Sequence, residues 1–516
     1  MDLSSALTNA VAVYRRRPAD LLPFYVLGAA IPVITRALVA AVLAVAYVYL
    51  EVTGRIARVR TALSETDLGS MPDPEADPAA FQQWTDSLGD VLLPLADPVV
   101  LAALVAAGVA TVVLTVLLSA GVSAGQYAVS LARLRDEGGT LAGIGGVRSY
   151  WPSILGLSLL EVGIWLAATF GAAIAITAAS IVHPILGVLA ALAALLGWTV
   201  IVICTRAVFA FAPVAVVVDD VGALGGVDAG LAYVRSNPGD ALGYYAVTIA
   251  TLVAVTSAGS VLAFFEAPSS LGLATLLVVA PGLDLVKTGL FGRWRGTIAP
   301  PDPPTRSLRA SIRAGVGGSW RAMTGFVRST LLTHGLVVAL AVASFVLGWI
   351  AAGPFEEMVT ASIVARLEGH LPPAAALEFF ANNWTVALGT AFAGVVLAVP
   401  TVVAIWFNGF VFGIVFRLEA DLLELVGFVV PHGLLEIPAL VIAGAVGLHL
   451  GRSGWRTWRG TAPRIALADD LERAFRVLVG VGMLLLVAGL IEGFVSPYYF
   501  EFVRPVVEPI VADVLA

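Results

Sequence analysis

His432 and Glu436 stand four residues apart in Pro431-His-Gly-Leu-Leu-Glu436, so a helix carries both on one face. An imidazole and a carboxylate inside an apolar run are costly unless they pair or face an internal cavity. Asn383 and the Asn408-Gly409 pair add amide groups to the same half of the chain. Three readings stay open. His432 and Glu436 form a structural pair holding a broken helix, with Asn383 and Asn408 satisfying freed backbone groups. Or they line a polar path for an ion, a proton or a small solute. Or they bind a metal or do catalysis. A zincin needs His-Glu-x-x-His, and here only one His lies on the face. His449 is roughly four helical turns away. No catalytic residue, cofactor or metal ligand set is therefore expected.

The elements that must hold these side chains are membrane helices. Of 516 residues, 59% are hydrophobic and only 13% charged, about half the charge of a soluble protein. The mean hydropathy of +0.94 is too high for a soluble enzyme of this size to cover its core. The lone Cys204 excludes an intramolecular disulfide, and no domain-sized basic surface suggests nucleic acid. Arg in place of Lys (Lys287 excepted), together with acidic loops, suggests a GC-rich, salt-adapted source. Residues 1–20 lack a cleavable-signal pattern, so the first apolar run is expected to stay as a helix.

A span needs about 20 apolar residues. Runs near 22–50, 98–123, 152–178, 183–213, 242–265 and 268–290 give six spans. The second half offers 331–352, 384–417, 421–450 and 477–496. The run 384–417 is too long for one span, and Pro400 predicts a hairpin or a broken helix. Pro431 and Pro438 predict a short re-entrant piece over 422–430, with Pro431 starting the next helix. Gly433, Gly444, Gly447 and Gly451 predict close helix approach. The total is about eleven spans: an all-α, polytopic integral membrane protein in two modules.

Charge alternates between loops. Arg15 to Arg17, Arg133, Arg135, Arg148, the arginines of 293–328 and Arg452 to Arg464 oppose acidic loops over 51–97 (Asp67 and Glu75 included) and 353–379 (Glu356, Glu357, Glu368 and Glu378), and the tail with Glu501 and Glu508. The positive-inside rule places the N-terminus in the cytoplasm of a multi-pass cell-membrane protein. A Pro-rich linker at 298–306 and an amphipathic helix over 307–328 separate residues 1–297 from 329–516. Within the first part, residues 12–25 echo residues 232–245: Arg15/Arg235, Pro18/Pro238, Asp20/Asp240, Leu22/Leu242 and Tyr25/Tyr245 coincide, with a fainter third copy at 147–152. Either a duplicated unit or a repeated way of entering the bilayer accounts for it. Of the other intramembrane polar groups, Asp284 is expected to pair with Lys287 and Arg36 with Glu161. His183 reads as a turn residue, and His334 and His370 have no recognisable partners.

Asn383, Asn408-Gly409, Pro431-His432-Gly433…Glu436 and the small-residue run after it resemble the stage II sporulation protein M family over about 330–460. The Pro-His-Gly-x-x-Glu element in membrane context is the specific part. The resemblance implies a membrane domain acting as an anchor and scaffold, as sporulating members do for peptidoglycan-remodelling enzymes, without enzymatic activity of its own. Arg206-Ala-Val-Phe-Ala-Phe-Ala-Pro213…Asp219-Asp220 resembles six-helix membrane domains of archaea, related to the membrane domain of some glycerophosphodiester phosphodiesterases. No stretch reads as a phosphodiesterase catalytic domain. The expected function is a non-enzymatic scaffold whose partners are the lipid bilayer and membrane or envelope proteins. The alternative is a transporter or channel with its path around His432 and Glu436.

Overall fold

Proline and aspartate punctuate the helices. Pro98, Pro184, Pro238 and Pro372 each open a helix, where the missing amide costs no intrahelical bond. Asp77, Asp97 and Asp421 accept from the free amides of the helices they precede. A computed structural model describes residues 3–66, 72–74, 76–298, 304–356, 361–363, 371–500 and 502–505. Asp67, Glu75, Glu357, Glu368, His370, Glu501, Glu508 and part of the Pro-rich linker lie outside the described residues.

In the first half, α1 (Leu3–Arg16) and α2 (Pro18–Leu21) lead into α3 (Pro23–Val52). The acidic connection holds α4 (Arg55–Glu65) and α5 (Pro78–Leu92), followed by α6 (Pro98–Leu134). A long hairpin, α7 (Gly139–Val182) and α8 (Pro184–Phe209), comes next. Short α9 (Ala212–Val218) and α10 (Ala223–Ser236) precede α11 (Pro238–Phe264). Then α12 (Ser269–Ala274) passes through a π-helical turn, Thr275–Val279, into α13 (Ala280–Trp294).

The second half begins with amphipathic α14 (Leu308–Ser329), as its sequence predicts, followed by α15 (Leu331–Ala352). The helices α16 (Pro372–Ala393), α17 (Val399–Leu418), α18 (Leu422–Trp458) and α19 (Arg464–Phe494) complete it. Among the described residues ten helical stretches are long and apolar enough to cross a membrane. The all-α polytopic class holds. The further span in the sequence count is α16, which is not among the ten. Glu378, Asn382 and Asn383 dilute its apolar character, but Ala387 to Ala393 are all buried, so it need not be lipophilic.

The predicted break falls where the 384–417 run turns, at residues 394–398, and Leu397 and Ala398 adopt positive φ there. The expected re-entrant piece over 422–430 is not found. α18 runs unbroken through Pro431 and Pro438, starting instead at its Asp421 cap. Prolines are tolerated in membrane helices because neighbouring groups re-satisfy the freed carbonyls. The fainter echo at 147–152 likewise lies inside continuous α7, with Pro152 internal. The other two copies each place a short helix before a proline that opens the next one, at Pro18 and Pro238.

The halves share one apolar core. α16 packs on α3 and α19, and α14 packs on α19. The Ser269 amide donates to Glu378 at 2.7 Å, tying the two halves at their acidic ends.

Candidate functional site

α18 and α19 lie side by side, and their facing residues gather the polar groups. His432 is buried on α18, ten residues after its start, about 15 Å along the axis. Its Nδ1 lies 2.9 Å from Ser496 Oγ, which fixes the ring. Its Nε2 then faces Glu492 Oε1 on α19 at 3.8 Å. Phe428, one turn back, meets the ring edge-on at 5.3 Å between centroids. Glu436 completes the group: ligand atoms of His432, Glu436 and Glu492 all lie within 4.8 Å of one another. One oxygen of each glutamate, Oε2, is buried with no hydrogen-bond partner among the described residues.

The sequence pairs His432 with Glu436, but the nearer carboxylate is Glu492. Glu492 and Ser496 are sixty or more residues away in the chain, and no local spacing announces them. One signal was available: a glutamate near the end of an apolar run is itself an intramembrane charge.

The asparagines do not join this group through their hydrogen bonds. The Asn408 amide donates to the Ala404 carbonyl of its own helix at 2.8 Å, and Asn383 accepts from Asn382 at 3.3 Å. Asn408→Ala is expected to shift stability by no more than about 0.5 kcal/mol, read from thermal unfolding in detergent.

The glycines build the walls. Gly409 and Gly413 on α17 face α15: a Cβ at either would run into its backbone, at Ala341 or Phe345. Gly444 sits against Ile405 and Val337, Gly447 against Thr401, and Gly451 against Ala398. Gly433 differs from expectation, since the atoms nearest it belong to Val429 and Ile437 of its own helix.

Two further polar regions lie at the arginine-rich ends of the helices. Ser453 donates to Asp470 at 2.6 Å and His449 approaches the same carboxylate at 3.4 Å, beside a cavity of about 370 Å³. A larger cleft, about 1280 Å³, opens between α1, α2, α14 and α19, with Arg17, Arg306, Arg321 and Arg476 on its rim and Ile312 and Phe475 among its apolar lining. Tyr14, on α1 beside this cleft, donates to the Leu277 carbonyl at 2.6 Å, and burial pushes its phenol up.

Several other intramembrane charges find partners. Asp284 pairs with Lys287 at 3.4 Å as expected, and Tyr25 and Tyr127 extend the pair through their hydroxyls. Glu161 pairs with Arg206 at 3.1 Å rather than with Arg36, which is exposed. His183 caps α8 by accepting from the Ile185 amide, and His334 does have a partner, the Thr330 carbonyl at 2.8 Å.

A bundle of apolar helices with a few paired charges inside it defines a polytopic helical membrane protein. Residues 337–497, which contain this site, match the model of the family described as Stage II sporulation protein M. No curated protein and no solved structure matches the chain.

Proposed function

We propose that the chain is a non-enzymatic integral membrane scaffold that gathers partner proteins, with the part matching stage II sporulation protein M as its rigid core. The observation that carries this reading is an asymmetry of packing. In the most apolar window of α19, 56% of residues are buried inside the chain, against 0% for α7, 6% for the α8–α9 stretch and 0% for α11. Lipid can cover such faces, and so can the helices of partners, which gain from close packing against small residues. α7 and α8 are rich in such residues, among them Ala172, Ala175, Ala190 and Ala194. We orient the arginine-rich ends toward the cytoplasm of the cell membrane by the positive-inside rule. The first six spans are proposed to form a module related to those of archaeal membrane proteins, from a salt-adapted source.

Reconstitution into liposomes tests the reading against transport. The expected result is no ion or solute flux through the wild type, with partner proteins recovered when it is isolated from native membranes. Flux that disappears in both His432→Ala and Glu436→Gln, with folding intact, would overturn it.

A further inference from the structure

We propose that His432, Glu436 and Glu492 bind a divalent first-row transition-metal ion, zinc being the simplest case, between α18 and α19. This goes beyond the scaffold reading and does not depend on it.

Two carboxylates within 4.8 Å of each other among membrane helices, Glu492 buried and Glu436 half-buried, repel when both are ionised, and a cation between them relieves that repulsion. Among the described residues no Lys or Arg is paired with either. A divalent ion neutralises both and leaves the site with no net charge.

Glu492 is 8% exposed, and its Oε2, like that of Glu436, is a buried acceptor without a partner among the described residues. His432 presents Nε2 to the same space because Nδ1 is engaged by Ser496 at 2.9 Å. That is the arrangement of a metal-bound histidine, whose second nitrogen is held by an outer hydrogen bond that sets ring orientation. Bonds of 2.0–2.1 Å in a tetrahedral site put ligand atoms roughly 3.3 Å apart. The 3.8 Å between His432 Nε2 and Glu492 Oε1 closes to that with small side-chain rotations. An imidazole with two carboxylates suits zinc, iron or manganese better than magnesium or calcium, which prefer all-oxygen shells.

The test uses the purified full chain in detergent, stripped with a chelator, then offered zinc and, separately, cobalt(II). The expected result is one zinc retained per chain after gel filtration, with visible absorption bands from cobalt in a low-symmetry site. Glu492→Gln and Glu436→Gln, which keep side-chain shape, should each weaken binding at least about tenfold, as should Ser496→Ala through the ring it holds. His449→Ala, at the other polar pair, should leave stoichiometry and spectrum unchanged. Absence of retained metal in the folded wild type would overturn the proposal. So would zinc binding that is indifferent to the two glutamine variants or lost in His449→Ala.

Discussion

Asp20→Ala is expected to cost up to about 3 kcal/mol at the arginine-side end of the first six spans, through a lost helix cap and a weakened buried ion pair. Arg133 is only 1% exposed, and its guanidinium lies 3.4 Å from the Asp20 carboxylate. The same arginine donates to the Glu137 carbonyl at 2.6 Å. Asp20 has a second task. Gly138, at the start of α7, has no side chain to cap the helix, and Asp20 accepts from the Thr140 amide at 2.7 Å in its place. Alanine removes both the cap and the buried one of the two carboxylates beside Arg133, leaving a buried cation that keeps only the half-exposed Asp136 at 3.5 Å and whose Nε has no partner among the described residues. Thermal unfolding in detergent reads the loss. Asp20→Asn should lose less, because its amide oxygen still caps α7. The double change Asp20→Leu with Arg133→Leu should recover part of the loss, since replacing a buried ion pair by apolar groups is often close to neutral. A double variant as unstable as Asp20→Ala would place the stability in the cap rather than in the charge pair.

Gly413→Leu is the second large effect. α15 and α17 meet through Gly409 and Gly413, which stand four apart and so line one face of α17. A Cβ at Gly413 would run into the Phe345 carbonyl oxygen and approach the Trp349 amide at 2.7 Å. Both are backbone atoms, so no rotamer change relieves the clash and the helices must separate. Overpacking costs about 1–3 kcal/mol, and more where the obstruction is backbone. The loss should appear as aggregation or a lowered melting temperature, with α17 becoming accessible to protease. Gly171→Ala serves as the control: nothing lies within 4 Å of the added methyl in α7, and alanine should be neutral or stabilising by up to about 1 kcal/mol.

Much of this fold is legible in the residues, because apolar length and loop charge are local properties. The six runs of the first half and the amphipathic α14 all appear as helices near their expected places. What escaped were properties set by neighbours. α16 is short of apolar character because it is covered by α3 and α19 rather than by lipid. Pro431 reads as a helix start, since a proline costs a helix about 3 kcal/mol in isolation. In the bundle α18 passes straight through it. Arg133 reads as a loop arginine next to Arg135, and it is instead the largest fully buried side chain of the molecule's described part. For the site, the spacing of His432 and Glu436 gives one helix face. Its other wall, Glu492 and Ser496, comes from α19 and the residues just after it. Asn383 and Asn408 share that half of the sequence but turn to other partners.

Site-directed photo-crosslinking in native membranes tests the scaffold most directly. A photo-reactive amino acid replaces Ile174 on α7 or Leu195 on α8, which are 70% and 63% exposed, and, for comparison, Leu478 inside the bundle, which is fully buried. The account predicts a discrete, reproducible protein adduct from Ile174 or Leu195 and no intermolecular adduct from Leu478. Lipid adducts alone at both exposed positions, in membranes where the protein is folded and abundant, would contradict it.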